Sequence, residues 1–144
     1  MAAERRASVT WNGDLMSGSG TIDAVGSGAF GPLDVSWPAR TEEASRGKTS
    51  PEELIAAAHA SCFSMALSHG LAQAGTAPER LETSATVTFV PGSGITRIAL
   101  AVRGTVPGLD ADGFREAAET AKANCPVSKA LAGVPEIVLD ASLA

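Results

Sequence analysis

Polar and apolar positions alternate in short runs over the first third of the chain. They merge into one long apolar stretch in the middle and alternate again, over longer runs, beyond it. Ala7-Ser8-Val9-Thr10-Trp11 predicts a strand, and the Asn12-Gly13 that follows is a hairpin turn signal. Residues 20–25 and 33–37 predict two further strands, so the simplest arrangement is a meander of short antiparallel strands. Residues 40–48 are polar and read as a linker. Ser50 then serves as an N-cap, Pro51 as N1, and Ser50 with Glu53 forms a capping box. From Leu54 to Leu67 the sequence is nearly free of charge and apolar almost all round, the mark of a buried helix. Gly70 is the expected interruption or end, and residues 75–78 break whatever short helix follows.

Beyond that break Leu81, Thr83, Ala85, Val87 and Phe89 share one face of a predicted strand, and Glu82, Ser84, Thr86 and Thr88 share the other. Residues 91–94 form a turn, and Ile98, Leu100 and Val102 define the inner side of the returning strand. Asp110 caps a helix over residues 111–123 with Phe114, Ala117, Ala118 and Ala121 on its apolar stripe. Pro126 disfavours helical geometry at Cys125 and opens a new helical turn. Residues 135–139 predict a last strand. Strands, then helices, then strands, with short connections, make the expected fold class α+β, in a single domain spanning residues 1–144.

Composition narrows the function. Hydrophobic residues make up 44% of the chain and charged residues 19%. The second figure falls below the usual ~25%, which points to a partner subunit covering part of the surface. The net charge of −5 and the scattered Lys and Arg exclude the basic face of a nucleic-acid binder. No run approaches ~18 consecutive apolar residues, so no transmembrane helix is expected. The first residues lack the apolar core of a signal peptide, so the expected location is the cytoplasm. Disulfides there tend to be transient and catalytic.

Three candidate chemistries remain. Gly26-Ser27-Gly28-Ala29-Phe30-Gly31 matches a dinucleotide-binding fingerprint, but Pro32 and a strand-like run follow where a helix is required, so turn glycines are the better account. His59, His69, Cys62 and Cys125 are ligand types without a familiar metal spacing, and no metal is expected. His59 is assigned to packing with a hydrogen bond to satisfy it, and His69 to the end of the helix. The third is thiol chemistry. Cys62 in its apolar helix reads equally as an inert core thiol or a reactive one. Cys125, just before a new helix N-terminus, sits where a thiolate is stabilised.

The residues from Thr49 to Leu67, with Ala-His-Ala-Ser-Cys at their centre, resemble a signature of the OsmC/Ohr family of osmotically inducible and organic hydroperoxide resistance proteins. Asn124-Cys125-Pro126-Val127-Ser128-Lys129 resembles its second signature, in the form of the OsmC branch. The resemblance implies an OsmC-like fold, with antiparallel sheets packed on a buried central helix in an intertwined homodimer. It implies a thiol peroxidase with Cys62 as peroxidatic and Cys125 as resolving cysteine, Arg40 activating the thiolate and Glu52 orienting Arg40. It further implies organic hydroperoxides as substrates, no bound cofactor, and re-reduction by an external dithiol, of which a lipoylated protein is one kind. The apolar helix around Cys62 is what favours organic hydroperoxides over hydrogen peroxide. The competing readings are a redox sensor with slowly cycling thiols and a binding module for small apolar molecules.

Helix geometry adds a constraint. Glu52 and Cys62 are ten residues apart, which on one straight helix separates them by ~15 Å and by ~80° around the axis. If both serve one site, Glu52 comes from a second subunit or the helix breaks between them.

Overall fold

The structure is a computed structural model and describes residues 1–144. It divides into two compact units, Met1–Leu54 and Ile55–Ala144.

The first unit holds a three-stranded antiparallel sheet in the order β1 (Val9–Asn12), β2 (Ser19–Ile22), β3 (Leu33–Val35). The strands pair Val9 with Ile22 and Ile22 with Leu33, as a meander requires. The turn after Asn12 is wider than a two-residue hairpin, and Gly13 enters it with φ +90. The glycine-rich run 26–31 is a loop: Val25 N–H donates to Phe30 O at 3.1 Å, and Gly28 and Gly31 adopt positive φ. No helix follows it, so the dinucleotide motif lacks the element it needs.

The third strand ends sooner than the alternation predicts, and the polar linker begins as a helix, α1 (Trp37–Thr41). The reason is local. Ser36 is extended and its Oγ accepts from Ala39 N–H at 3.2 Å, while Pro38 suits the first helical turn. An alternating pattern that runs into Ser-x-Pro is a helix cap as much as a strand end.

Helix α2 (Pro51–Gln73) runs unbroken through Gly70. Ser50 Oγ accepts from Glu53 N–H at 3.2 Å, the first half of the capping box. The reciprocal half differs from expectation, because the Glu53 carboxylate instead accepts from the Thr49 hydroxyl at 3.1 Å. The helix stops where Gly75 turns to φ +85 and Thr76 N–H reaches back to Leu71 O at 2.9 Å.

In the second unit β4 (Arg80–Val90) and β5 (Gly94–Thr105) form the expected long hairpin, from Arg80↔Thr105 to Val90↔Gly94. β4 alternates between exposed and half-buried positions along its whole length, and Ile98, Leu100 and Val102 of β5 are buried. α3 (Ala111–Asn124) starts at Asp110, whose carboxylate accepts from Gly113 N–H at 2.7 Å. The short α4 (Pro126–Ala130) follows the break at Cys125. The last strand, β6 (Glu136–Leu143), corrects the all-antiparallel expectation: it pairs with β5 in parallel, Ile98 opposite Ile137. A connection carrying two helices returns the chain to the same end of the sheet, which hairpin connections cannot do.

The core of this unit joins Phe63, Leu67 and Leu71 of α2 to Leu100 and Val102 of β5 and Phe114, Ala118 and Ala121 of α3. A Cβ at Gly104 would lie 2.6 Å from the Phe114 ring, so the missing side chain makes room for that ring. Burying each large side chain fully contributes about 1.5–3 kcal/mol. Helix α2 is less enclosed than its sequence predicts. Burial follows the four-residue stripe His59, Phe63, Leu67, Leu71, while Ala57, Ala58 and Ser61 are exposed and Met65 is 72% exposed. One sheet and one neighbouring helix cover one face of a helix that is apolar on several. By length and composition α2 also qualifies as a membrane span, with mean hydropathy 1.3, but Phe63, Leu67 and Leu71 anchor it in a protein core.

Candidate active site

The second unit brings the two cysteines together. Cys62 reaches the site from the middle of α2, where it is half-buried; Cys125 is fully buried between α3 and α4, and both are free thiols. Pro126 has no N–H and fixes the start of α4, so the chain turns at Cys125, which is the helix N-cap without a side-chain cap bond. Burial pushes the Cys62 thiol up, and so does its hydrogen bond to Cys125; the Val127 amide works the other way. Cys125 is pulled down. Its burial opposes this, and the Ser128 amide, the Cys62 thiol, the Ser128 hydroxyl and the Val127 amide together outweigh it. Cys62 is thus held as the thiol more firmly than Cys125. The helix start stabilises Cys125 as its sequence position predicts, and the apolar surroundings of Cys62 have the effect expected of them.

Behind Cys125 lies a contact that the sequence did not announce. His59 is fully buried and its Nε2 lies 2.7 Å from Ser128 Oγ. The assignment of His59 to packing with one hydrogen bond describes what is found. The partner was legible only as a symmetry of offsets, His59 three residues before Cys62 and Ser128 three after Cys125.

The first unit builds a different kind of site. Arg40, near the end of α1, is gripped by Glu52, in the first turn of α2. The guanidinium Nε lies 2.9 and 3.2 Å from the two carboxylate oxygens, and a terminal nitrogen lies 2.9 Å from Oε1. Glu52 is buried, and the Arg40 guanidinium stands 5.8 Å from the centre of the Trp37 ring. The pair fixes a cation in one orientation, which a lone surface arginine does not achieve. Beside it is a cavity of about 290 Å³ walled by Trp11, Leu15, Ile22, Val35 and Leu54, with Arg40 as its charged group. Trp37 and this cavity were not singled out in the sequence. The Ser36-Trp37-Pro38 cap, which places Arg40 one turn into a helix, was the available signal.

Comparison with known proteins places the chain. A family model described as OsmC-like protein matches residues 43–140. Peroxiredoxin OsmC of Escherichia coli (strain K12) and that of Shigella flexneri are each 42% identical over 146 residues, covering 99% of this chain and 99% of theirs. The chain belongs to the OsmC family. Solved structures of the family share the fold. One is an organic hydroperoxide resistance protein OsmC from Legionella pneumophila, with TM-score 0.69 and 24% identity over 98% of this chain and 99% of that one. Another is the organic hydroperoxide resistance protein OhrB of Bacillus subtilis, with TM-score 0.61 and 27% identity over 96% and 98%. Glu52, Cys62 and Cys125 all lie inside the span matched by the OsmC family model, and Arg40 lies just before it.

Proposed function

We propose that this OsmC family member reduces organic hydroperoxides, and hydrogen peroxide more weakly, through a Cys62 sulfenic acid and a Cys62–Cys125 disulfide. That it is a peroxidase-type enzyme rests on the family and on its 42% identity to peroxiredoxin OsmC. The observation that carries the mechanism is the pair of free thiols in one core, Cys125 buried at a helix start and Cys62 half-buried and packed against that core.

The Cys62 thiolate attacks the outer peroxide oxygen. The O–O bond breaks, the alkoxide leaves and takes a proton to become the alcohol, and Cys62 is oxidised to the sulfenic acid. Cys125 attacks that sulfur and expels hydroxide as water, and an external dithiol of the lipoyl type reduces the disulfide by exchange. No bound cofactor enters any step.

Cys62 needs a cation to become the nucleophile, because burial holds its thiol up. Arg40, aimed by Glu52, has the chemistry for that role and for donating to the leaving oxygen. Since α2 is unbroken, Glu52 and Cys62 are offset by ~15 Å along one axis. The reading is therefore that Arg40 and Glu52 of one subunit serve Cys62 of the other, in a homodimer with two shared sites. The exposed apolar positions of α2 suit burial against a second copy. The apolar walls of the Arg40 cavity suit the organic part of a hydroperoxide. The cytoplasm, which keeps dithiol reductants reduced, is the matching compartment.

The raised Cys62 thiol is also what a slowly cycling redox sensor would show. Consumption of cumene hydroperoxide with dihydrolipoamide as reductant separates the two. Multiple turnovers that vanish in Cys62→Ser support the enzyme. A single oxidation without turnover, with any dithiol, favours the sensor.

A further inference from the structure

The mechanism leaves one buried titratable side chain unused. His59 is wholly enclosed, bonds Ser128 Oγ through Nε2 at 2.7 Å, and has no partner at Nδ1. Those facts fix its tautomer. A proton on Nδ1 would leave a buried N–H unpaired, which costs more than leaving a lone pair unused. Burial also holds the ring in its neutral form. The proton therefore sits on Nε2 and is donated to Ser128 Oγ. The serine's own hydrogen is then free, and Ser128 stands three residues after Cys125 in the first turn of α4, where its hydroxyl works to lower the Cys125 thiol.

We propose that His59 and Ser128 are positioning residues that aim a chain of donated hydrogen bonds, Nε2–H to Oγ–H to Sγ, at Cys125 and hold it as the thiolate that closes the disulfide. The proposal rests on the peroxidase reading above, because its step follows formation of the Cys62 sulfenic acid. In that step the Cys125 thiolate forms the S–S bond, the S–O bond of the sulfenic acid breaks, and the departing hydroxide takes a solvent proton. Cys62 is reduced from the sulfenic to the disulfide level, and Cys125 is oxidised from the thiolate to the same level.

The groups that act on the Cys125 thiol are Cys62 on α2 and the Val127 and Ser128 amides and Ser128 hydroxyl on α4. The His59 ring stands behind that hydroxyl. Because the histidine is neutral, it works by orientation and not by charge. A side chain with an N–H donor at similar reach should replace it, and an apolar one should not. A residue kept only for packing would give the opposite ranking.

Two measurements test this. In the Cys62→Ala background, the ultraviolet absorbance of the thiolate reports the titration of Cys125. Ser128→Ala and His59→Leu are expected to move its midpoint up by about one unit, a tenfold loss of thiolate at a pH below both midpoints. Ser128→Thr and His59→Gln restore it. With Cys62 present, the sulfenic acid trapped by a dimedone probe after one equivalent of cumene hydroperoxide should persist about tenfold longer in Ser128→Ala. Ser128→Ala removes one atom, so it decides the matter even if His59→Leu fails to fold. Unchanged midpoints in Ser128→Ala overturn the relay and leave the peroxidase reading standing. Absence of sulfenic acid in the wild type overturns the peroxidase reading, while the titration still judges the relay.

Discussion

In the Ile55–Ala144 unit most of the large apolar side chains turn inward. Phe63, Leu67, Leu71, Leu100 and Phe114 are all but inaccessible, Cys125 lies within that core and Cys62 packs against it. In the Met1–Leu54 unit they turn outward: Val9 is 57% exposed, Trp11 40% and Leu15 52%, while Ile22 is its one buried hydrophobic residue. Yet this thinly packed unit holds the better-defined ion pair, with Glu52 gripping Arg40 through two nitrogens. The thiols are thus held by a hydrophobic core, whereas the cation is held by hydrogen bonds and a helix cap. A core needs many residues to position one sulfur. A carboxylate positions a guanidinium by itself.

The comparison breaks most sharply if the two units prove equally sensitive to loss of packing. Phe114→Ala is expected to cost about 3–5 kcal/mol in urea unfolding, since its ring fills the space left by Gly104. Val9→Thr, on the exposed β1, should cost less than about 0.5 kcal/mol. A larger Val9 effect that fades on dilution would reveal a subunit resting on that sheet.

The next effect concerns the cation. Arg40→Ala should lower kcat/KM for cumene hydroperoxide by about 100-fold, the scale of one lost transition-state donor. Mixing Arg40→Ala with Cys62→Ser subunits sharpens the point. If sites are shared between subunits, the mixed dimer has one intact site, and activity returns as subunits exchange. No recovery after exchange, shown by differently tagged subunits, would place Arg40 and Cys62 of the same chain together.

Much of this was legible in the residues because the signals were local. Asp110, Pro126 and the alternation of residues 81–89 each act within a few positions, and the elements they predict are present. The two signatures marked Cys62 and Cys125 because both lie within runs of specific sequence. What escaped depended on distant partners. The parallel pairing of β6 is decided by a crossover, which leaves no trace in the strand itself. The bare faces of α2 look buried to any count of apolar residues, since periodicity reports what a helix can bury and not what covers it. The short α1 was hidden because Ser36 and Trp37 also complete an alternating run.

The smallest effect follows from the enclosed histidine, and its direction can be worked out. Burial lowers the pKa of His59 below its ordinary value of 6.5. The unfolded chain therefore takes up a proton near pH 6.5 while the folded chain stays neutral, so the unfolded state binds more protons in that window. Stability is full above pH 6.5 and falls as the pH drops below it, by at most about 1.4 kcal/mol per pH unit until the folded ring titrates as well. Urea unfolding at pH 7.5, 6.5 and 5.5 measures the slope, and the same series on His59→Gln removes the contribution of this ring while leaving every other group in place. The wild type should lose more stability than the variant between pH 6.5 and 5.5. Parallel curves would mean that the ring takes up its proton in the folded state as readily as in the unfolded chain. Nδ1, left bare inside the protein, would then have found a partner, and the neutral tautomer on which the relay to Cys125 depends would be lost with it.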